Sequence, residues 1–156
     1  MTTAADQGLL AFIVRAKART YVTGGGLVPE PVDGEHEHAF SEGVWRYRDR
    51  YVGGVDFCGE EVVWHRGTPV WAMVYSAALW RPDVLDPAQA GQVIKSALCD
   101  LYAQGRFLGG WAARVDGFDY LDLNEGGTDR FTGVEQISRE GLVCYRLRYA
   151  GGLVRE

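Results

Sequence analysis

The apolar and polar positions fall into two kinds of period along this chain. From Val44 to Val52 the residues alternate, with Trp45, Tyr47, Asp49 and Tyr51 set against Arg46, Arg48 and Arg50. That is the period of a strand with one aromatic and one cationic face. The arginines are expected to pair with carboxylates on neighbouring strands. Leu9, Phe12, Ile13 and Ala16 instead recur at helical spacing, which predicts a helix over 3–19, opened by a capping-box spacing from Thr3 to Asp6. Arg15, Lys17 and Arg19 fall on its wet face and read as solvated charges. A second helix is announced by Asp86 as N-cap, Pro87 at the first helical position and Gln89 beyond. Its apolar face is Ala90, Val93, Ile94, Ala97, Leu98, Leu101 and Tyr102, with Cys99 beside it as a structural residue, and Gly105 ends it. Two weaker strands follow, around 111–115 and 118–123. Residues 23–43, with the run Gly24-Gly25-Gly26, Pro29 and Pro31, read as a long loop placed as a flap over a pocket.

Phe57–Tyr75 recurs without a gap 74 residues later as Phe131–Tyr149. Phe57 falls on Phe131, Gly59 on Gly133, Glu61 on Glu135, Gly67 on Gly141, Trp71 on Tyr145 and Tyr75 on Tyr149. Each copy has the pattern of a hairpin. A three-residue loop at Arg139-Glu140-Gly141 is expected, because it lines up Glu135, Ile137, Val143, Tyr145, Leu147 and Tyr149 on one face. Gln136, Ser138, Cys144, Arg146 and Arg148 then take the other, and a slip by one residue would destroy the split. In the first copy the same register groups Glu61, Val63, Pro69, Trp71, Met73 and Tyr75. The opposite face, Val62, Trp64, Val70, Ala72 and Val74, is apolar too and needs a cover. A second layer, the 24–43 loop or a partner subunit would supply it, and a homodimer through this face is expected.

These elements give the order helix–three strands, helix–three strands. The predicted fold is α+β: a tandem duplication, with pseudo-repeats at about 3–80 and 86–152 of a single 1–156 domain. Each unit is an antiparallel meander crossed by a helix, and the two form one sheet with both helices on one face and a cleft at the pseudo-twofold axis.

Composition narrows the function classes. A formal net charge of −5 and a pI near 5.2 argue against a general nucleic-acid binder. No run approaches the roughly 20 apolar residues of a membrane span, and no signal-peptide pattern opens the sequence. Cys58, Cys99 and Cys144 are an odd number without framework spacing, read as free thiols of a cytoplasmic protein. The stretch Asp33-Gly34-Glu35-His36-Glu37-His38 offers alternating metal-type ligands with no third at a fixed spacing, so no metal and no cofactor are expected.

The segments YVGGVDFCGEEVVWHRGTPVWAMVY and LLAFIVRAKARTYVTGGG resemble an uncharacterised bacterial and archaeal domain family, found alone or behind a helix-turn-helix of the XRE type. The signature reads Tyr51-x-Gly-Gly-x-x-Phe57-x-Gly-Glu-Glu61-x-Val-Trp64, then Gly67-x-Pro-Val-Trp71-x-Met73-x-Tyr75. The duplicated organisation also looks like the gyrase-inhibitor-like effector-binding domains. That likeness implies a glutamate among aromatic rings that receives flat cationic ligands, and in some relatives glutamates that hydrolyse strained electrophiles. Glu61 and Glu135 are the matching positions. With no helix-turn-helix in the sequence, direct contact with nucleic acid is not expected.

Two functional readings follow. In the first, Glu61 and Glu135 supply charge, and Trp45, Tyr47, Trp71, Met73, Tyr75, Tyr145 and Tyr149 wall a pocket for a flat, hydrophobic or cationic small molecule. In the second, the same two glutamates act as acid and base of a small hydrolase, with His65 at the hairpin tip assisting. The bland alternative pairs Glu61 with Arg48 or Arg114, or with backbone amides at the bulge, and treats His65 as solvated.

Overall fold

The computed structural model describes residues 4–29 and 32–155; Thr3, Pro31 and the Asp6 side chain, and with them the expected first capping box, lie outside the described residues. The chain is mixed α+β, with two α-helices and one eight-stranded antiparallel sheet. Helix α1 (Ala4–Lys17) runs into a π-helical turn (Ala18–Val22), followed by β1 (His36–Glu42), β2 (Trp45–Gly53), β3 (Phe57–His65) and β4 (Thr68–Leu79). Helix α2 (Pro87–Ala103) leads into β5 (Trp111–Val115), β6 (Phe118–Gly127), β7 (Arg130–Arg139) and β8 (Leu142–Leu153). The strand order is β1-β2-β3-β4-β8-β7-β6-β5, so the sheet reads the same outward in both directions from the β4–β8 seam. At that seam Tyr75 stands opposite Tyr149.

Each helix is followed by four strands, which corrects the expected helix–three-strand unit in both halves; in the second half all four had a strand pattern, and in the first half only three did. The fourth is β1, inside the expected 23–43 loop. Its polar sequence hid it, but as an edge strand it needs only one paired side. Gly26 and Val28 bond to its free edge, through Ala39 N to Gly26 O at 2.8 Å and Val28 N to Glu37 O at 2.9 Å. Arg50 pairs with Glu35 and Glu37, and Arg48 with Glu60, as the alternating charges implied.

The hairpin loops are shorter than expected, and the register survives for a different reason. Arg139 pairs with Leu142 and His65 with Thr68, leaving the two-residue loops Glu140-Gly141 and Arg66-Gly67, all at positive φ. Those dihedrals match the right-handed twist of the strands. A bulge then shifts the register, between Ile137 and Ser138 in one hairpin and between Val63 and Trp64 in the other. The bulge turns Cys144 and Val70 inward, against the expectation of an outward face: Cys144 is fully buried and Val70 packs on the core. Cys99, in contrast, is exposed.

One face of the sheet carries both helices. Leu9, Phe12, Ile13 and Ala16 of α1 pack on Tyr47, Val63, Trp71 and Met73. Ala90, Val93, Ile94 and Ala97 of α2 pack on Phe118, Tyr120, Ile137 and Tyr145. The α2 capping box forms as the sequence predicts, Asp86 accepting from Gln89 N and Gln89 accepting from Asp86 N. On the back of the sheet the guanidinium groups of Arg46 and Arg48 lie 4.1 and 5.3 Å from the Trp64 ring. The chain thus covers Trp64 of this apolar strip itself, while Val74 stays 57% exposed.

The matched glycines Gly59 and Gly133 have a steric role. In the register Tyr75 faces Gly59, and Tyr149 faces Gly133. Without a side chain there, each tyrosine lies across its neighbouring strand and reaches an aspartate one strand further on, Asp49 on β2 or Asp122 on β6. A methyl group at Gly133 would collide with the Tyr149 ring. Gly133→Ala is therefore expected to cost about 2–3 kcal/mol by overpacking. Gly91→Ala, in helix α2 with open space around it, should add roughly 0.5–1 kcal/mol. Urea denaturation of the two variants checks the pair; equal effects would remove the steric account of the glycine.

Candidate functional site

The sheet face that meets the helices carries two cross-strand acidic pairs: Asp49 opposite Glu61 on β2 and β3, and Asp122 opposite Glu135 on β6 and β7. All four residues are buried, each 6% exposed. Burying an ionised carboxylate costs several kcal/mol unless something answers its charge or its hydrogen-bonding capacity. The answers come from one lysine and four tyrosines.

Lys17 is 5% exposed, and its Nζ donates to Glu61 Oε2 at 2.5 Å. The ammonium also lies 5.9 Å from the Trp71 ring and 5.5 Å from the Phe107 ring. This overturns the reading of Lys17 as a solvated charge. It follows the buried Ala16 by one residue, about 100° around the helix, at the margin of the apolar stripe, and its long stem carries the charge inward. The predicted partners of Glu61 are engaged elsewhere, Arg48 with Glu60 and Arg114 with Asp119.

The tyrosines donate to the other three acids. Tyr75 Oη bonds to Asp49 Oδ1 at 2.5 Å and Tyr149 Oη to Asp122 Oδ1 at 2.6 Å. Tyr120 Oη reaches Glu135 Oε2 at 2.6 Å, and Tyr145 Oη reaches Glu135 Oε1 at 3.2 Å. Among the described residues, the side-chain bonds to Asp49 and Asp122 engage Oδ1 alone.

These groups surround a cavity of about 380 Å³. It is lined by Lys17, the four carboxylates and seven of the chain's eight tyrosines: Tyr21, Tyr47, Tyr51, Tyr75, Tyr102, Tyr145 and Tyr149. The eighth, Tyr120, stands behind Glu135 as its donor. Leu79, Ile94, Leu98, Phe107 and Leu147 supply apolar wall, and the exposed residues His36, Gly53, Gly54, Val55 and Pro87 mark the mouth. Lys17 is the sole lysine or arginine among the lining residues described.

Of the residues singled out from sequence, Glu61, Glu135, Tyr47, Met73, Tyr75, Tyr145 and Tyr149 come together around the cavity. Trp71 and Trp45 do not line it. Trp71 is fully buried, with its ring on Phe131 and its Nε1 donating to Thr128 O at 3.1 Å, while Trp45 stacks on Phe12. His65 lies tilted against Trp45, with ring centroids 4.3 Å apart, and does not line the cavity. Among the described residues no cluster of three His, Cys, Asp or Glu side chains could hold a metal, the Glu35–His38 stretch included.

The residues missed from sequence are Asp49, Asp122, Lys17, Tyr21, Tyr51 and Tyr102. For the aspartates a signal existed. Asp49 lay on the aromatic face of its strand, but the ungapped offset of 74 sets it against Leu123. The chain between the facing positions Asp122 and Glu135 is one residue longer than that between Asp49 and Glu61, so strands β2 and β6 correspond at an offset of 73. Tyr47 then falls on Tyr120 and Asp49 on Asp122.

The field of the site is set by burial. Burial first, and the neighbouring Glu61 second, push the Asp49 carboxyl up to about 7, against the bond from Tyr75 and the charge of Lys17. Burial likewise pushes Glu135 up to about 7, opposed by the bonds from Tyr120 and Tyr145 and by Lys17, and aided by Asp122. Asp122 is raised for the same leading reason. The tyrosines bonded to these acids are raised well above the ordinary phenol range, again chiefly by burial, and stay protonated donors.

A comparison with protein-family models matches residues 49–154 to a family described as "Domain of unknown function (DUF5680)". The chain belongs to this family. The matched stretch takes in both acidic pairs of the DUF5680 domain and leaves out α1 with Lys17. No curated protein and no solved structure matches the chain. No helix among the described residues is long and apolar enough to cross a membrane.

The raised carboxyls carry a pH signature. Unfolded, Asp and Glu titrate near 4; folded, Asp49 and Glu135 titrate near 7, so between these values the folded state holds protons that the unfolded chain has lost. Stability is therefore expected to fall as pH rises from about 4 to about 7, by up to roughly 4 kcal/mol per group, and to level off above. Urea midpoints across this range at fixed ionic strength should show the decline, with Glu135→Gln making it shallower. A wild-type profile that is flat or rises would contradict the assignment.

Proposed function

We propose that this domain binds a flat organic cation in the tyrosine-lined cavity. The observation that carries this reading is the composition of one cavity: four buried carboxylates, seven phenol rings and, among the described lining residues, a single lysine around about 380 Å³. Rings offer a cation their π-faces at about 0.5–2 kcal/mol each, and buried carboxylates are worth more to a charge that arrives with its own apolar body. Water cannot supply that combination, whereas an arylmethylammonium can. The volume falls within the ordinary range for small-molecule pockets.

The same protons bear on binding. A cation favours the ionised forms of Asp49 and Glu135, so affinity is expected to tighten as pH rises from 6 to 8, with protons released on binding. Isothermal titration with 1-naphthylmethylammonium should give a micromolar Kd, and its neutral hydroxymethyl isostere should bind at least about tenfold more weakly. Equal affinity for both, or an affinity independent of pH, would defeat the proposal.

One observation favours a second reading, a small hydrolase. A carboxyl group that titrates near 7 is poised for general acid–base work at neutral pH, and Asp49 and Glu135 both have that property. Tyr75 and Tyr145, which line the cavity beside them, would donate to a developing oxyanion. The cation reading takes precedence because it also accounts for the wall of rings.

The architecture behind the site supports descent by tandem duplication of a helix–four-strand unit. Supporting this are the mirrored strand order, the Tyr75–Asp49 and Tyr149–Asp122 bonds in corresponding places, and the paired glycines that permit them.

A further inference from the structure

The two acidic pairs correspond in position, but their helices treat them differently. Five buried residues of α1 and its π-turn, Leu9, Phe12, Ile13, Ala16 and Thr20, match the buried residues of α2, Ala90, Val93, Ile94, Ala97 and Leu101, at a constant offset of 81, whereas buried Val14 falls on the exposed Lys95. The same offset sets Tyr21 on Tyr102 and Lys17 on Leu98, and all four of these line the cavity. One helix therefore offers an ammonium to the acids, and the other offers a methyl-tipped apolar chain at the equivalent place.

This difference decides the charge of the space. Two carboxyls that feel each other in an enclosed site share a proton more readily than they carry two charges. Asp49 and Glu61 face each other, as do Asp122 and Glu135. The Asp49–Glu61 pair then bears one negative charge, which the Lys17 ion pair cancels. The Asp122–Glu135 pair bears one that no lining lysine or arginine contacts among the described residues; Lys17 acts on both acids and Arg106 on Asp122 only through space, and the pair's bonds come from neutral phenols.

We propose that Lys17 acts as a built-in first cation and thereby fixes the ligand's charge: the cavity takes a molecule with a single cationic head, seated at the Asp122–Glu135 end across from Leu98. This rests on the cation-binding reading above and adds where the charge sits and how many charges are admitted. A dication would leave one head facing Lys17.

Leu98→Lys tests it by giving the second pair its own internal cation. With 1-naphthylmethylammonium and its hydroxymethyl isostere as probes, the ratio of cation to neutral affinity is expected to fall about tenfold or more in this variant. An unchanged ratio overturns the inference. Lys17→Met should do the opposite, raising the affinity for 1,5-bis(aminomethyl)naphthalene as its dication about tenfold relative to the monocation; a constant ratio in a variant that folds overturns the inference as well. A third readout needs no ligand. The decline of the melting temperature between pH 5 and 8 should be shallower in Leu98→Lys than in wild type, since the new ammonium relieves the buried Asp122–Glu135 pair, and an equal slope counts against the pairing. If wild type shows no preference for the cation while Leu98→Lys flattens the melting profile, the cation-binding reading fails and the charge pairing stands.

Discussion

The constraint on which this structure turns is the burial of four carboxylates beneath two helices with one lysine to answer them. Such groups are costly in an apolar interior, and the fold arranges its polar donors around that cost. Tyrosine is the donor chosen, because a phenol brings a hydroxyl to the acid and a large apolar ring to the core in one side chain. The arrangement reaches into the backbone. Tyr75 and Tyr149 cross a strand to meet their aspartates, and only a glycine in the strand beneath leaves room for them.

The same interactions leave the buried acids only partly answered. Phenol bonds and one ion pair reduce the cost of burying the acids but leave Asp49 and Glu135 titrating near 7, far above their ordinary range. The domain thus holds polar groups whose ionised forms are not fully satisfied, next to a space large enough for a ring system. Residues arranged for stability alone would have replaced such groups with packed hydrophobes at little loss. A site that gives up stability in this way is the usual mark of a binding or catalytic function.

Several features of the site could be read from residue order. Glu61 and Glu135 fell on an inward aromatic face because the period of a strand is two and one face of each hairpin is apolar. The α2 cap and both hairpins followed from local chemistry at Asp86, Pro87, Gly67 and Gly141. Other features could not. Strand β1 lacks an apolar signature, since an edge strand with polar neighbours is held by backbone bonds and by Glu35 and Glu37 against Arg50. The bulges at Ile137 and Val63 made a two-residue loop compatible with the inward register, so the correct face was reached through the wrong loop length.

Lys17 marks the boundary most clearly. The sequence alone determined that this is an α+β chain with two amphipathic helices, two hairpins of matching residue pattern and two glutamates turned toward rings, because those properties depend on spacing along the backbone. Only the tertiary structure decided that Lys17 turns inward onto Glu61, that Asp49 and Asp122 join the glutamates, and that the tyrosines converge from strands and helices far apart in the chain. A residue at the margin of a helical stripe can face solvent or core, and the choice depends on what the sheet presents opposite it. Here the sheet presents a buried carboxylate, and the attraction between the two charges settles the direction.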